Sequence, residues 1–310
     1  MTASKKPDLS WDLNGLEIKN PVITASGTFG YGAEKKDFVD LNRLGGIVTK
    51  GISLKERKGN PMPRIYETPQ GMLNSIGLQN CGVDRFIEEK MPFLGKLKAS
   101  VWVNIYGQKA DDYVELAARL SEVEGVDVLE VNCSCPNVKE GGIEFGRSGA
   151  SVKSLTKKVK KASSKKIVVK LSPNVSDICE IAKAAEDGGA DGISLINTIR
   201  GMAIDIKKKR PVLATKFGGL SGPAIKPVAL AMVWQVFECV KIPVIGMGGI
   251  MSVADVIEFI MAGASAVQVG TANFLDPGVS GKLVGGLYDY CAENRLKTLS
   301  SIRGLAHAKP

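Results

Sequence analysis

Short runs of β-branched and other apolar residues recur along the chain, ending in Gly, Asn, Ser or Lys, and stretches with helical spacing separate them. Eight such runs occur, at 21–26, 46–51, 101–106, 126–133, 166–172, 192–198, 242–248 and 266–271. Between them, apolar residues at i, i+3, i+4 and i+7 mark amphipathic helices. The sets are Tyr113/Leu116/Ala117/Leu120, Ile178/Ile181/Ala182/Ala185, Ile225/Val228/Ala229/Met232/Val233/Val236 and Val253/Val256/Ile257/Ile260, the last behind a Ser252 cap. Apolar runs without polar alternation belong to strands buried on both faces, hence to a parallel sheet. Eight strand–helix units are the number that closes a (β/α)8 TIM barrel, so residues 1–310 are predicted to form one α/β barrel domain.

Two departures from the rhythm refine this picture. Residues 8–19, with Asn14-Gly15 between two short alternating segments, predict a β-hairpin ahead of the first barrel strand, capping the barrel floor. Three long connections, at 52–84, 134–150 and 199–222, fall on the face where the strands end, which is where a barrel keeps its active site.

That face is chemically distinctive. Ser26, Lys50, Asn104, Asn132, Lys170, Asn197 and Thr198 stand at strand ends, with Gly248-Gly249 and Gly270-Thr271 on the last two strands. Amides both donate and accept hydrogen bonds, and lysines stabilise an anionic ring, so the set suits a planar heterocycle with several carbonyls and ring nitrogens. The flavin ring fits that description. The glycine segments after strands seven and eight match the barrel phosphate site, where backbone N–H groups and a helix N-terminus hold an anion.

Composition narrows the chemistry. With 44% apolar and 24% charged residues the chain can bury a large core. The single histidine, His307, stands in a polar tail, which argues against a Ser/His/Asp triad, a histidine zinc site or a histidine base. Cys135, in Asn132-Cys-Ser-Cys-Pro-Asn on the loop after strand four, is therefore the candidate thiolate base or nucleophile, whereas Cys133 on the strand itself reads as a small buried hydrophobe. The six cysteines include no Cys-x-x-Cys pair, and the start of the chain is polar, so reduced thiols in a cytoplasm are expected, with no metal site. No segment is apolar enough over 18 residues to span a membrane. The excess of 41 Lys and Arg over 32 Asp and Glu gathers at 157–166 and 207–210. No aromatic residues interleave these clusters, which favours solvated faces or a protein interface over nucleic acid.

At this point the chain resembles the class 1 dihydroorotate dehydrogenases, from about residue 20 to residue 303. The resemblance rests on Asn20-Pro-Val-Ile-Thr-Ala-Ser-Gly-Thr-Phe-Gly, Thr49-Lys-Gly, Asn74-Ser-Ile-Gly-Leu-Gln-Asn, Asn132-Cys-Ser-Cys-Pro-Asn, Lys170-Leu-Ser-Pro-Asn, Asn197-Thr and Leu220-Ser-Gly-Pro-Ala-Ile-Lys-Pro. It implies FMN on the barrel mouth, contacted by Ser26, Lys50, Gly51, Asn104, Asn132, Lys170, Ile196, Gly222, Gly248, Gly249, Gly270 and Thr271. It also implies dihydroorotate or orotate against the flavin, contacted by Lys50, Asn74, Ser75, Ile76, Gly77, Leu78, Asn132, Asn137, Asn197 and Thr198, with Cys135 as the catalytic base. Class 2 members use serine as the base and carry an N-terminal membrane-associating extension. The 74–80 and 136–146 segments resemble the NAD-linked class 1B more than the fumarate-linked class 1A. That subclass implies a homodimer of this chain within a heterotetramer, completed by a subunit that carries FAD and a [2Fe-2S] cluster. One departure from the family pattern is Cys133 in place of the usual aliphatic residue.

Three other readings share some of these features. The pyrimidine-reducing module of dihydropyrimidine dehydrogenases would prefer uracil. A Schiff-base aldolase would use Lys50 or Lys170 and no flavin. A basic nucleic-acid-binding protein would be colourless and bind RNA in a salt-dependent way.

Overall fold

The computed structural model describes residues 6–133, 146 and 148–308. Eight parallel strands close into a barrel: β1 (Val22–Thr24), β2 (Gly46–Val48), β3 (Ser100–Ile105), β4 (Val128–Asn132), β5 (Lys166–Lys170), β6 (Gly192–Leu195), β7 (Val244–Met247) and β8 (Ala266–Val269). Closure is made by β8 against β1, with Val267 opposite Val22. Each strand falls on one of the eight predicted runs, with β3 alone beginning one residue ahead of its run, at Ser100. Most of the ladders stop short of the polar ends of those runs, so Ser26, Lys50, Asn197, Thr198, Gly248 and Thr271 emerge at the mouth.

The helical spacing is borne out by burial. Tyr113, Leu116, Ala117 and Leu120 are buried under Ala110–Ser121, and Ile178, Ile181, Ala182 and Ala185 under Ile178–Asp187. Ser252 caps Val253–Met261 in a reciprocal box: its Oγ accepts from the Asp255 N–H at 3.3 Å while the Asp255 carboxylate accepts from the Ser252 N–H at 2.8 Å. Helix Lys226–Cys239 departs from expectation, because Ala229, Val233 and Val236 are buried but Val228 is 41% exposed. Its inward stripe is narrower than the run of apolar residues around it.

The N-terminal hairpin forms, with Trp11 opposite Ile18. Lys166 Nζ donates to the Asn14 carbonyl at 2.6 Å, which places the hairpin tip beside the start of β5, on the barrel floor. Trp11, Leu13 and Ile18 are buried there. His307 is not in a polar tail. Its ring stacks on Trp234 at a centroid separation of 3.5 Å, with Phe237 at 4.9 Å. No helix among the described residues is long and apolar enough to cross a membrane.

At the other end, two of the long connections build a structure of their own. Ile65–Thr68, Gly71–Asn74, Gly218–Ser221 and Ile199–Gly201 pair antiparallel in that order, so segments some 145 residues apart meet at Asn74 and Gly219. The hydrophobic pattern did not announce this sheet, because its strands are short and half exposed. Most of the third connection, 134–150, lies outside the described residues.

Candidate active site

The barrel interior carries one fully buried carboxylate, Glu130, in the middle of β4. Its Oε2 accepts from Asn104 Nδ2 of β3 at 2.7 Å, and its Oε1 accepts from Ser194 Oγ of β6 at 2.8 Å and Gln268 Nε2 of β8 at 2.7 Å. Lys170 Nζ, at the end of β5 and 5% exposed, lies 3.7 Å from the same Oε2. A buried ionised group is tolerated only when paired and hydrogen-bonded, and four strands contribute to doing so here. The network holds two predicted cofactor contacts, Asn104 and Lys170, in fixed places below the mouth. Asn132 stands opposite Lys170 in the β4–β5 register, and Tyr113 Oη donates to its carbonyl at 2.9 Å.

The glycine segments converge above this layer. Gly248 and Gly249 have φ of 128° and 74°, where a side chain is strained. A Cβ at Gly249 would lie 2.7 Å from Lys226 Cβ and 3.0 Å from the Gly222 carbonyl oxygen, so the turn after β7 abuts the end of the 199–222 connection. Thr271 Oγ1 donates to Ser221 Oγ at 2.8 Å, which joins the turn after β8 to the same place. Gly270 faces Ala25, and Ala25 N–H donates to the Val269 carbonyl, so Ser26 borders this group. Ile196 is buried, and its N–H donates to Met247 beside Gly248. Ser26, Ile196, Gly222, Gly248, Gly249, Gly270 and Thr271, seven of the predicted FMN contacts, therefore form one rim.

The expected substrate contacts arrive from the sheet above the barrel. Asn74 Nδ2 donates to the Gly219 carbonyl at 3.4 Å. The backbone of Ser75 and Ile76 is held by Asn60, whose Nδ2 donates to the Ser75 carbonyl and whose N–H donates to the Ile76 carbonyl, both at 2.9 Å. Gly77 turns with φ 77°, where a Cβ would strike the Asn60 side chain. The Leu78 carbonyl accepts from Asn80 Nδ2 at 2.8 Å. Leu78 reaches the barrel at Gly51, whose missing Cβ would lie 3.9 Å from Leu78 Cδ2 and 2.8 Å from Asn104 Oδ1. Asn197 N–H donates to the Leu171 carbonyl, its Oδ1 accepts from the Thr198 N–H at 2.8 Å, and the Thr198 hydroxyl packs on Gly219.

Lys50 sits half-buried between these two groups. Burial is the main cause that pulls its pKa below the ordinary lysine value, and the guanidinium of Arg64 adds to it, against the opposing effect of Glu34. Such a lysine gains from an arriving anion. Cys133 is 2% exposed and its thiol is pushed up to about 12 by burial, as befits a core residue. Cys135 and Asn137 lie outside the described residues.

These residues fit a flavin. Asn104 Oδ1 is buried with no hydrogen-bond partner, Gly51 leaves the space in front of it open, and Lys170 and the glycine rim lie at the same mouth. Glu130, Ser194, Gln268 and Arg64 were not anticipated. A signal existed for two of them: Glu130 and Gln268 are the polar interruptions in Val128-Leu-Glu-Val and Ala266-Val-Gln-Val, strands otherwise apolar on both faces.

The family model for dihydroorotate dehydrogenase matches residues 8–290. Among curated relatives, the protein of Geobacter sp. (strain M21) named dihydroorotate dehydrogenase B (NAD(+)), catalytic subunit, is 55% identical over 300 residues, 97% of this chain and 98% of its own length. The proteins of the same name from Desulforamulus reducens and Geotalea daltonii are 55% identical over 302 residues and 54% identical over 299. They cover 97% and 96% of this chain and 99% and 98% of their own lengths. With a barrel mouth built around the same motifs and a family match over nearly the whole length, the chain belongs to the dihydroorotate dehydrogenase family.

Proposed function

We propose that the chain oxidises dihydroorotate to orotate in pyrimidine biosynthesis, using FMN bound at the barrel mouth, as the catalytic subunit of an NAD-linked enzyme in the cytoplasm. The observation that carries this reading is the convergence of Asn104, Lys170, Gly51 and the glycine rim on one mouth, beneath a sheet that brings residues 74–78 to its edge. When bound, the flavin supplies the acceptor for the hydride that leaves carbon 6 of the substrate. Cys135, as the thiolate, takes the proton from carbon 5, which is acidified by the adjacent ring carbonyl. Lys170 places positive charge where the flavin's pyrimidine edge becomes negative. Lys50 meets the substrate carboxylate, and Asn74, Asn132, Asn137 and Asn197 pair with the amides of its ring. Ser75, Ile76, Gly77, Leu78 and Thr198 close around it.

The relatives' name, a catalytic subunit, supports a separate electron-transfer subunit. This chain has no Gly-x-Gly-x-x-Gly dinucleotide motif on its first strand and no cysteine cluster for an iron–sulfur relay. A partner with FAD and a [2Fe-2S] cluster, docked on a homodimer of this chain, completes the path to NAD. The test offers the purified chain, yellow with one FMN, dihydroorotate and then NAD, fumarate or an artificial dye. Dye reduction with little NADH is expected. Rapid NADH formation by the lone chain refutes the two-subunit reading, and fumarate turnover moves it to the fumarate-linked class. A chain that takes up no FMN, or oxidises no dihydroorotate, refutes the whole.

A further inference from the structure

Glu130 is fully buried beneath the mouth, yet it decides which way two amides face. A carboxylate only accepts hydrogen bonds. The amide groups of Asn104 and Gln268, both 2.7 Å from it, must therefore turn their NH2 ends inward and their carbonyl oxygens away. Both carbonyl oxygens, Asn104 Oδ1 and Gln268 Oε1, are buried without a hydrogen-bond partner. A buried acceptor left unmade is costly, so a fold that enforces one at the mouth is prepared for a ligand that donates. Asn104 Oδ1 is the one that matters for binding, because it faces the open position beside Gly51. A flavin has one N–H on its pyrimidine edge, the imide nitrogen between two carbonyls.

We infer that Glu130 is a positioning residue for the cofactor: by holding Asn104 Nδ2 it presents Asn104 Oδ1 as the acceptor for the imide N–H of the flavin. The inference rests on the flavin reading above. Lys170, 3.7 Å from the same carboxylate, balances its charge. Ser194 holds the other carboxylate oxygen at 2.8 Å, so Glu130 cannot swing aside to release Asn104.

The test reverses the direction of one hydrogen bond. Asn104→Asp sets an acceptor against the Glu130 carboxylate across 2.7 Å. Adding Glu130→Gln supplies a donor at that oxygen, restores the bond in the opposite sense, keeps the number of carboxylates and leaves an outward acceptor at position 104. FMN dissociation constants are read by quenching of flavin fluorescence, with no turnover required. Asn104→Asp is expected to bind FMN at least about tenfold more weakly, the weight of a buried hydrogen bond to a polar group lost. The double variant is expected to recover to within about threefold of the parent, since the net bond count is restored. If Asn104→Asp does not fold, folding and FMN uptake by the double variant is the same rescue. The inference is overturned if Asn104→Asp binds FMN like the parent, or if the double variant folds no better or binds no better than Asn104→Asp. If the parent itself takes up no FMN, the proposed function fails first and is recognised as such.

Discussion

The barrel interior and the sheet above it solve the same problem, placing polar groups accurately, by different means. Inside, Asn104, Glu130, Lys170, Ser194 and Gln268 ride on five strands of a closed parallel sheet, joined through Glu130 by hydrogen bonds from Asn104, Ser194 and Gln268 and by an ion pair with Lys170. Above, residues 74–78 depend on pairing between two connections far apart in sequence and on Asn60 and Asn80 holding the backbone. The interior is buried and cross-linked through Glu130, with Asn104 Oδ1 and Gln268 Oε1 left without partners. The upper sheet is half exposed and its register rests on a few bonds. On the proposed reading, cofactor binding falls to rigid strands and substrate binding to loops carried above them.

The strongest way to break this division is at the loop after β4. Cys135→Ala is expected to slow flavin reduction by dihydroorotate about 10²- to 10⁴-fold, the usual weight of a positioned base, with FMN retained. Cys135→Ser should fall between. A near-normal rate for the alanine variant in stopped-flow would remove Cys135 from the chemistry.

A matched pair of glycine substitutions sharpens the comparison. Gly249→Val forces a β-branched residue to φ 74° against Lys226, and strain plus overpacking of a few kcal/mol is expected to weaken FMN binding by about 10- to 100-fold. Gly219→Val drives a side chain into Thr198 and parts the upper sheet, raising the KM for dihydroorotate by about tenfold while FMN affinity changes by less than about threefold. Flavin titration and steady-state kinetics with a dye acceptor read the two effects. Equal losses of both ligands in both variants would show that the regions are not separable.

The smallest effect is on pH dependence and concerns Lys50, at the seam between the regions. Because burial and Arg64 lower its pKa, it sheds its proton at a lower pH than an exposed lysine would. On the proposed reading the charged form holds the substrate carboxylate, so the KM for dihydroorotate should rise, by a few-fold, as pH increases through that point. The turnover rate should rise as well, since a thiolate base gains competence over the same direction of pH. A KM that is flat on the alkaline side would remove Lys50 from substrate binding.

Much of this is legible in the amino-acid sequence. The eight doubly buried runs specified the barrel, because strands covered on both faces leave a continuous apolar signal, and the polar residues that end those runs had only one place to go. Ser26, Asn104, Lys170 and the glycines at 248, 249, 270 and 271 could be assigned to one mouth for that reason. The sheet of residues 65–74 and 199–221 could not be read, since short half-exposed strands carry little periodicity and their partners are remote. His307 looked like part of a solvated tail because its neighbours are polar, and only packing against Trp234 and Phe237 placed it.

The sequence alone determined which barrel strands form, that they run parallel, and which chemistry stands at their ends, because each of these follows from local periodicity and chain order. Only the tertiary structure decided what those residues do to one another. Glu130 reads along the chain as a flaw in an apolar strand. It becomes the centre of the site because closure of the barrel brings β3, β5, β6 and β8 around it, and hydrogen bonds across a closed sheet are fixed by geometry that no single segment contains.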